Sequence, residues 1–140
     1  QPYWLSGAPR DAATPPEPLR WQPFALPDAP LDFVDGLRSL ATNGDVEAQV
    51  GIGVHVYLAT RSMTGRALVD ADGELLLVPQ QGRLRITTEL GVLLVAPGEV
   101  ALLPRGLAFR VELPDGPSRG YVCENHGAHF RLPELGPIGS

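Results

Sequence analysis

Val50-Gly51-Ile52-Gly53-Val54-His55-Val56-Tyr57-Leu58-Ala59 alternates with a period of two. Val50, Ile52, Val54, Val56 and Leu58 form one row, and Gly51, Gly53, His55, Tyr57 and Ala59 form the other. Successive side chains of a strand point to opposite faces, so this is the clearest strand in the chain. The same grammar continues downstream. Ala67-Leu68-Val69 is a short strand before a turn at Asp70-Ala71-Asp72-Gly73. Glu74 to Val78 is apolar enough for a strand covered on both sides, and Pro79-Gln80-Gln81-Gly82 then turns the chain. Leu84, Ile86 and Thr88 alternate with Arg83, Arg85 and Thr87. Val92 to Val95, Val100 to Leu103, Leu107 to Leu113 and Gly120 to Glu124 follow, each bounded by Gly or Pro, and Ala128 to Leu132 adds a short candidate.

Upstream the pattern differs. Phe33, Leu37 and Leu40 lie four and three apart, which predicts one or two helical turns weakened by Gly36. Asn43-Gly44-Asp45 reads as the turn that ends them. Residues 1–31 hold eight of the 15 prolines and cannot form a regular helix or a central strand. Trp21 and Phe24 within that arm suggest that it docks on a surface. The expected organisation is therefore a Pro-rich arm, 1–31, and one β-domain, 32–140. Short strands at roughly ten-residue spacing with Gly/Pro turns predict an all-β, antiparallel sandwich or jelly-roll barrel.

Composition agrees with one folded domain. The chain has 140 residues, 44% hydrophobic and 19% charged. No run approaches the roughly eighteen apolar residues of a membrane helix. The net charge of -5 offers no dense basic footprint, which argues against nucleic acid as a partner. Cys123 is the single cysteine, so no intrachain disulfide exists. It reads as a buried thiol in a reducing, cytoplasmic setting.

Gly98-Glu99-Val100-Ala101-Leu102-Leu103-Pro104-Arg105-Gly106-Leu107-Ala108-Phe109 resembles the second signature of the cupin superfamily, Gly-x5-Pro-x-Gly-x2-His. In that signature a strand, a tight turn and a strand aim the histidine at a metal. Phe109 stands at the ligand position, and a phenyl ring coordinates nothing, so a degenerate, apolar-filled barrel is expected. The first signature needs paired histidines, whereas His55 shares its strand face with Tyr57. A histidine satisfied by hydrogen bonds is the ordinary reading of His55. His126 and His129, three apart, are weak candidates for a metal or a site mouth, since metal sites need three or four convergent ligands. Arg61 and Arg66 bracket a loop suited to an anion, although a carboxylate is the commoner partner. Ser62 and Ser118 lack a nucleophile-elbow context, and Asp115 and Glu124 show no paired role. No residue is assigned to catalysis, cofactor binding or metal ligation.

Several segments resemble the homogentisate 1,2-dioxygenase family. They are Asp32-Phe33-Val34-Asp35-Gly36-Leu37, His55-Val56-Tyr57 with Ser62-Met63 and Arg66, and Asp72-Gly73-Glu74 through Gln80, followed by Thr88-Glu89 and Pro97-Gly98-Glu99. The most specific run is Leu113-Pro114-Asp115-Gly116-Pro117-Ser118-Arg119-Gly120-Tyr121-Val122-Cys123-Glu124-Asn125, continued by Phe130 to Gly139. The match covers residues 21–140. The resemblance implies an N-terminal β-domain preceding a C-terminal cupin domain that lies beyond Ser140. That second domain would hold Fe(II) through two histidines and a glutamate and would open homogentisate with O2 to maleylacetoacetate, in phenylalanine and tyrosine catabolism. It further implies a hexamer, a dimer of trimers, in which this part is scaffold and subunit contact and is inactive alone. A non-enzymatic, metal-free barrel for assembly or small-ligand binding is the alternative. A small metalloenzyme using His55, His126 and His129 is a third reading.

Overall fold

Residues 22–134 are described by a computed structural model, and none of them is helical. Nine strands are present among the described residues: β1 Leu37–Asp45, β2 Val50–Ala59, β3 Leu68–Val69, β4 Glu74–Gln81, β5 Leu84–Thr88, β6 Gly91–Val95, β7 Ala101–Leu103, β8 Ala108–Glu112 and β9 Ser118–Asn125. They form a five-stranded sheet, β1-β2-β9-β4-β7, and a four-stranded sheet, β3-β8-β5-β6. Every pairing is antiparallel. The inner faces meet as a sandwich, as the period-two pattern predicts.

The core lies between the sheets. β2 turns Gly53, His55, Tyr57 and Ala59 inward, so the less apolar of its two rows faces the core. The valine row faces outward, where Val54 and Val56 are half-buried and Ile52 is exposed. The arm runs along part of that outer face. Arg119 Nη1 donates to Phe24 O at 3.2 Å, and a groove of ≈ 290 Å³ lined by Phe24, Leu40, Val56 and Leu58 separates arm from sheet. Trp21 lies outside the described residues.

Phe109 fills the barrel. It is 2% exposed, and its ring lies 6.2 Å, edge-on, from Phe33, which in turn tilts against Tyr57 at 5.1 Å. Where the cupin signature has a metal ligand, this chain has an aromatic cluster joining β8, β2 and the segment before β1.

Three local expectations are corrected. The helix expected over Phe33–Leu40 is a single turn followed by β1. Asp32 Oδ1 accepts the N–H groups of Val34 and Asp35, both at 3.1 Å, and Gly36 N donates to Asp32 O at 2.8 Å. The turn stops there because Gly36 presses its backbone on β2. A Cβ at that position would lie 2.3 Å from Leu58 O, and Leu58 N donates to Gly36 O. Ladder pairing with β2 then captures the chain from Leu37 onward. Asn43-Gly44-Asp45 correspondingly belongs to β1, and the reversal falls at Val46–Gln49, closed by Gln49 N donating to Val46 O at 3.1 Å. Ala128 to Leu132 is not a strand but an irregular segment tied down by side chains.

Removing the fully enclosed Phe109 ring takes away one end of this cluster, which is centred on Phe33. Phe109→Ala is expected to cost about 3–5 kcal/mol, read as a lower urea midpoint with an unchanged slope.

Candidate functional site

The inward row of β2 and the inward row of β9 meet at a polar end of the otherwise apolar core. The ladder sets Gly53 opposite Glu124 and His55 opposite Val122, while Leu75 of β4 flanks Glu124 on its other side. Glycine at position 53 creates the space. A Cβ there would lie 2.4 Å from His55 Nε2 and 3.1 Å from Glu124 Oε2.

His55 and Glu124 are fully buried and bonded to each other, Nε2 to Oε2 at 3.1 Å. An ionised carboxylate only accepts, so Nε2 carries the imidazole proton. Nδ1 then accepts from the Ser39 hydroxyl at 2.9 Å. Ser39 precedes a β1 register shift, between Ser39 and Ala41. The serine, imidazole and carboxylate follow one another in the order of a nucleophile, a base and its orienter. The enclosed imidazole nevertheless meets no solvent, and the array acts as an internal bolt between β1, β2 and β9.

His126 lies just past β9 and is also fully buried. Its Nδ1 is 3.6 Å from Glu124 Oε1, beyond a hydrogen bond, and neither ring nitrogen has a hydrogen-bond partner among the described residues. Its backbone is fixed, with N–H donating to Gly51 O and its carbonyl accepting Arg105 Nη2, both at 3.0 Å. Asp70, 6% exposed, accepts the N–H groups of Asp72 and Gly73 through Oδ1 at 2.9 and 3.0 Å, and Oδ2 has no partner among the described residues. Burial, and after it the charge of Glu124, pushes the Asp70 carboxyl above the usual range.

His129 parts company with His126. Its side chain is 84% exposed and pairs with Glu74 Oε1, while Glu74 Oε2 accepts Phe130 N–H at 2.8 Å. Burial alone would raise the Glu74 carboxyl, but the Phe130 amide and His129 outweigh it and hold it below the usual range. The three histidines therefore do not converge. No group of three or more His, Cys, Asp or Glu able to hold a metal occurs among the described residues. The described residues thus offer no ligand set for Fe(II), which the resemblance assigns to a domain beyond Ser140.

The remaining candidates are structural. Arg66 Nε donates to Asp32 Oδ2 at 2.8 Å and its Nη2 lies 2.7 Å from Asp35, while Arg61 reaches Asp35 only at 3.8 Å. Carboxylates, not an exogenous anion, occupy that loop. Ser62 accepts Leu113 N–H at 2.9 Å, and Ser118 lies 3.0 Å from the Tyr57 hydroxyl, which burial pushes up to about 12. Cys123 is a buried free thiol. Asp115 and Glu124, read from sequence as unpaired, are both paired. Asp115 grips Arg83 at 2.7 and 2.8 Å, and that contact brings its carboxyl down to about 2. Sequence reading missed Ser39, Asp70 and Glu124. The available signal for Glu124 was its place on the inward row of β9 with Gly120 and Val122, where a carboxylate requires a partner.

Two outcomes follow. Glu124→Ala strands buried His55 and is expected to cost about 3 kcal/mol or more, against about 1 kcal/mol for Ser39→Ala, by urea unfolding. Asp70 has its folded pKa above the unfolded 3.8. The native state therefore binds the extra proton, and wild-type stability rises, as pH falls through the folded value towards 3.8. Asp70→Asn keeps the Oδ1 acceptor and removes the charge. It should be more stable than wild type at neutral pH, with the gap closing on acidification, by thermal melts across pH.

Comparison with known proteins agrees with this geometry. A cupin domain from Schizosaccharomyces pombe superposes with a TM-score of 0.52 at 14% identity, covering 74% of this chain and 73% of that one. A protein of unknown function from Streptococcus pyogenes gives 0.52 at 15% identity over 66% and 75%. A cupin 2 conserved barrel domain protein from Leptotrichia buccalis gives 0.52 at 15% identity over 64% of this chain and 39% of that one. At these identities the likeness shows the fold alone, a cupin-like barrel. The family model described as homogentisate 1,2-dioxygenase N-terminal matches residues 3–140. Since that match spans nearly the whole sequence, the chain belongs to the homogentisate 1,2-dioxygenase N-terminal family.

Proposed function

We propose that the chain is the N-terminal portion of an Fe(II)-dependent dioxygenase that opens the homogentisate ring with O2 to give maleylacetoacetate, in phenylalanine and tyrosine catabolism. The observation that carries this reading is the family match over residues 3–140. The iron belongs to a separate C-terminal cupin domain, where two histidines and a glutamate would leave open positions for substrate and O2. This domain's own contribution is mechanical. Its barrel is bolted by Ser39, His55 and Glu124, filled by Phe109, and offers a stiff base for subunit contacts. The reading includes a homo-oligomer, a hexamer built from two trimers, in the cytoplasm. The free thiol of Cys123 is in keeping with a reducing compartment. The Arg61–Arg66 loop and the His126–Phe130 segment are the regions assigned to neighbouring subunits.

A second reading, a metal-free barrel that binds a small apolar ligand, draws on the ≈ 290 Å³ groove beside Phe24. One assay separates the two. The full-length polypeptide, reconstituted with Fe(II), should consume O2 and homogentisate in equal amounts and yield maleylacetoacetate, while the 140-residue chain alone should not. A full-length protein that binds no iron and leaves homogentisate untouched overturns the first reading.

A further inference from the structure

We propose that the corner formed by His126, Asp70 and Glu124 is a binding site for an internal water molecule, which ties three segments of the barrel together. The site belongs to the barrel itself and does not depend on the dioxygenase reading.

Backbone contacts bring the three segments to one place. The turn before β4 comes from one side. Asp70 Oδ1 accepts Gly73 N–H at 3.0 Å, and a Cβ on Gly73 would lie 3.2 Å from Glu124 Cγ. The turn between β7 and β8 closes over it. Gly106 N donates to Asp70 O at 2.6 Å, and the preceding Arg105 donates through Nη2 to His126 O at 3.0 Å. The end of β9 supplies Glu124 and then His126, whose N–H donates to Gly51 O of β2 at 3.0 Å. The backbone bonds of this corner are made, so its side chains are held where they stand.

Those side chains do not satisfy one another. His126 is 0% exposed, and neither of its ring nitrogens has a hydrogen-bond partner among the described residues. Asp70 is 6% exposed, and its Oδ2 has none either. A buried polar atom left alone is costly, and native structures keep few of them. His126 Nδ1 lies 3.6 Å from Glu124 Oε1, too far for a direct bond. Polar groups at such a separation are commonly joined through water. The charge of Glu124 also acts on the Asp70 carboxyl, so the two acids share one neighbourhood.

The mixture of groups selects the occupant. A neutral imidazole offers one donor and one acceptor, and the carboxylate oxygens of Asp70 and Glu124 accept. An anion would face two acidic side chains. A metal ion needs three or four convergent ligands, and the described residues contain no such group. An apolar molecule would leave every polar atom as it is. Water both donates and accepts. It can donate to Asp70 Oδ2 and bond the His126 ring, meeting the two to four polar partners that an internal water takes.

The test is a high-resolution crystal structure of the full-length protein, paired with His126→Phe. The wild-type map should show a peak that refines as one oxygen atom, within hydrogen-bond distance of a His126 ring nitrogen and of Asp70 Oδ2. His126→Phe keeps a ring and removes both nitrogens, so the peak should be lost. A wild-type map with no peak at the corner overturns the proposal. So does a protein group bonded directly to the His126 ring, or a peak with the anomalous signal of a metal. A folded His126→Phe protein that keeps the peak overturns it as well. Should that variant fail to fold, the wild-type map decides alone.

Discussion

The bond between His55 and Glu124 joins β9, the middle strand of the five-stranded sheet, to its neighbour β2, and much of the molecule is arranged around it. A carboxylate sealed from water is costly unless it is paired and hydrogen-bonded. Gly53 vacates the space where the two side chains meet. Ser39 completes the imidazole's hydrogen bonding from the neighbouring strand. Burial, and after it this same charge, raises the carboxyl of Asp70. One polar decision inside an apolar barrel therefore constrains four elements, which an all-hydrophobic core of equal volume would leave freer to slide.

The apolar part of the core does the complementary work. Phe33, Tyr57 and Phe109 form an aromatic cluster, with Phe109 at the sequence position of the cupin signature's histidine. A ring there exchanges a ligand for packing. The described residues combine a cupin-like barrel with an aromatic core where the signature's histidine would stand.

Much of this was legible before any coordinates, because β-strands write their faces into the sequence with a period of two. β2, β5, β8 and β9 fall where the alternation puts them. What failed did so for reasons of tertiary contact. Phe33, Leu37 and Leu40 do have helical spacing, yet Gly36 lies against the Leu58 carbonyl, and pairing with β2 outweighs that local preference. His126 and His129 are near in sequence but lie on opposite sides of the chain's path, one enclosed and one in solvent. Spacing alone carries no information about that path. Glu124 shows its inward position in the alternation of β9, but that row does not name its partner. Its meaning comes from His55, 69 residues earlier.

The segment leaving β9 has a further property. Arg105 holds the His126 carbonyl, and Glu74 holds the Phe130 amide, so the backbone is pinned at two points four residues apart. Two fixed points define a line. Residues 131–134 therefore start from a set origin with a set bearing, much as a beam built into a wall differs from one hung on a hinge. The direction in which the chain leaves the sheet is thus written into one carboxylate and one guanidinium.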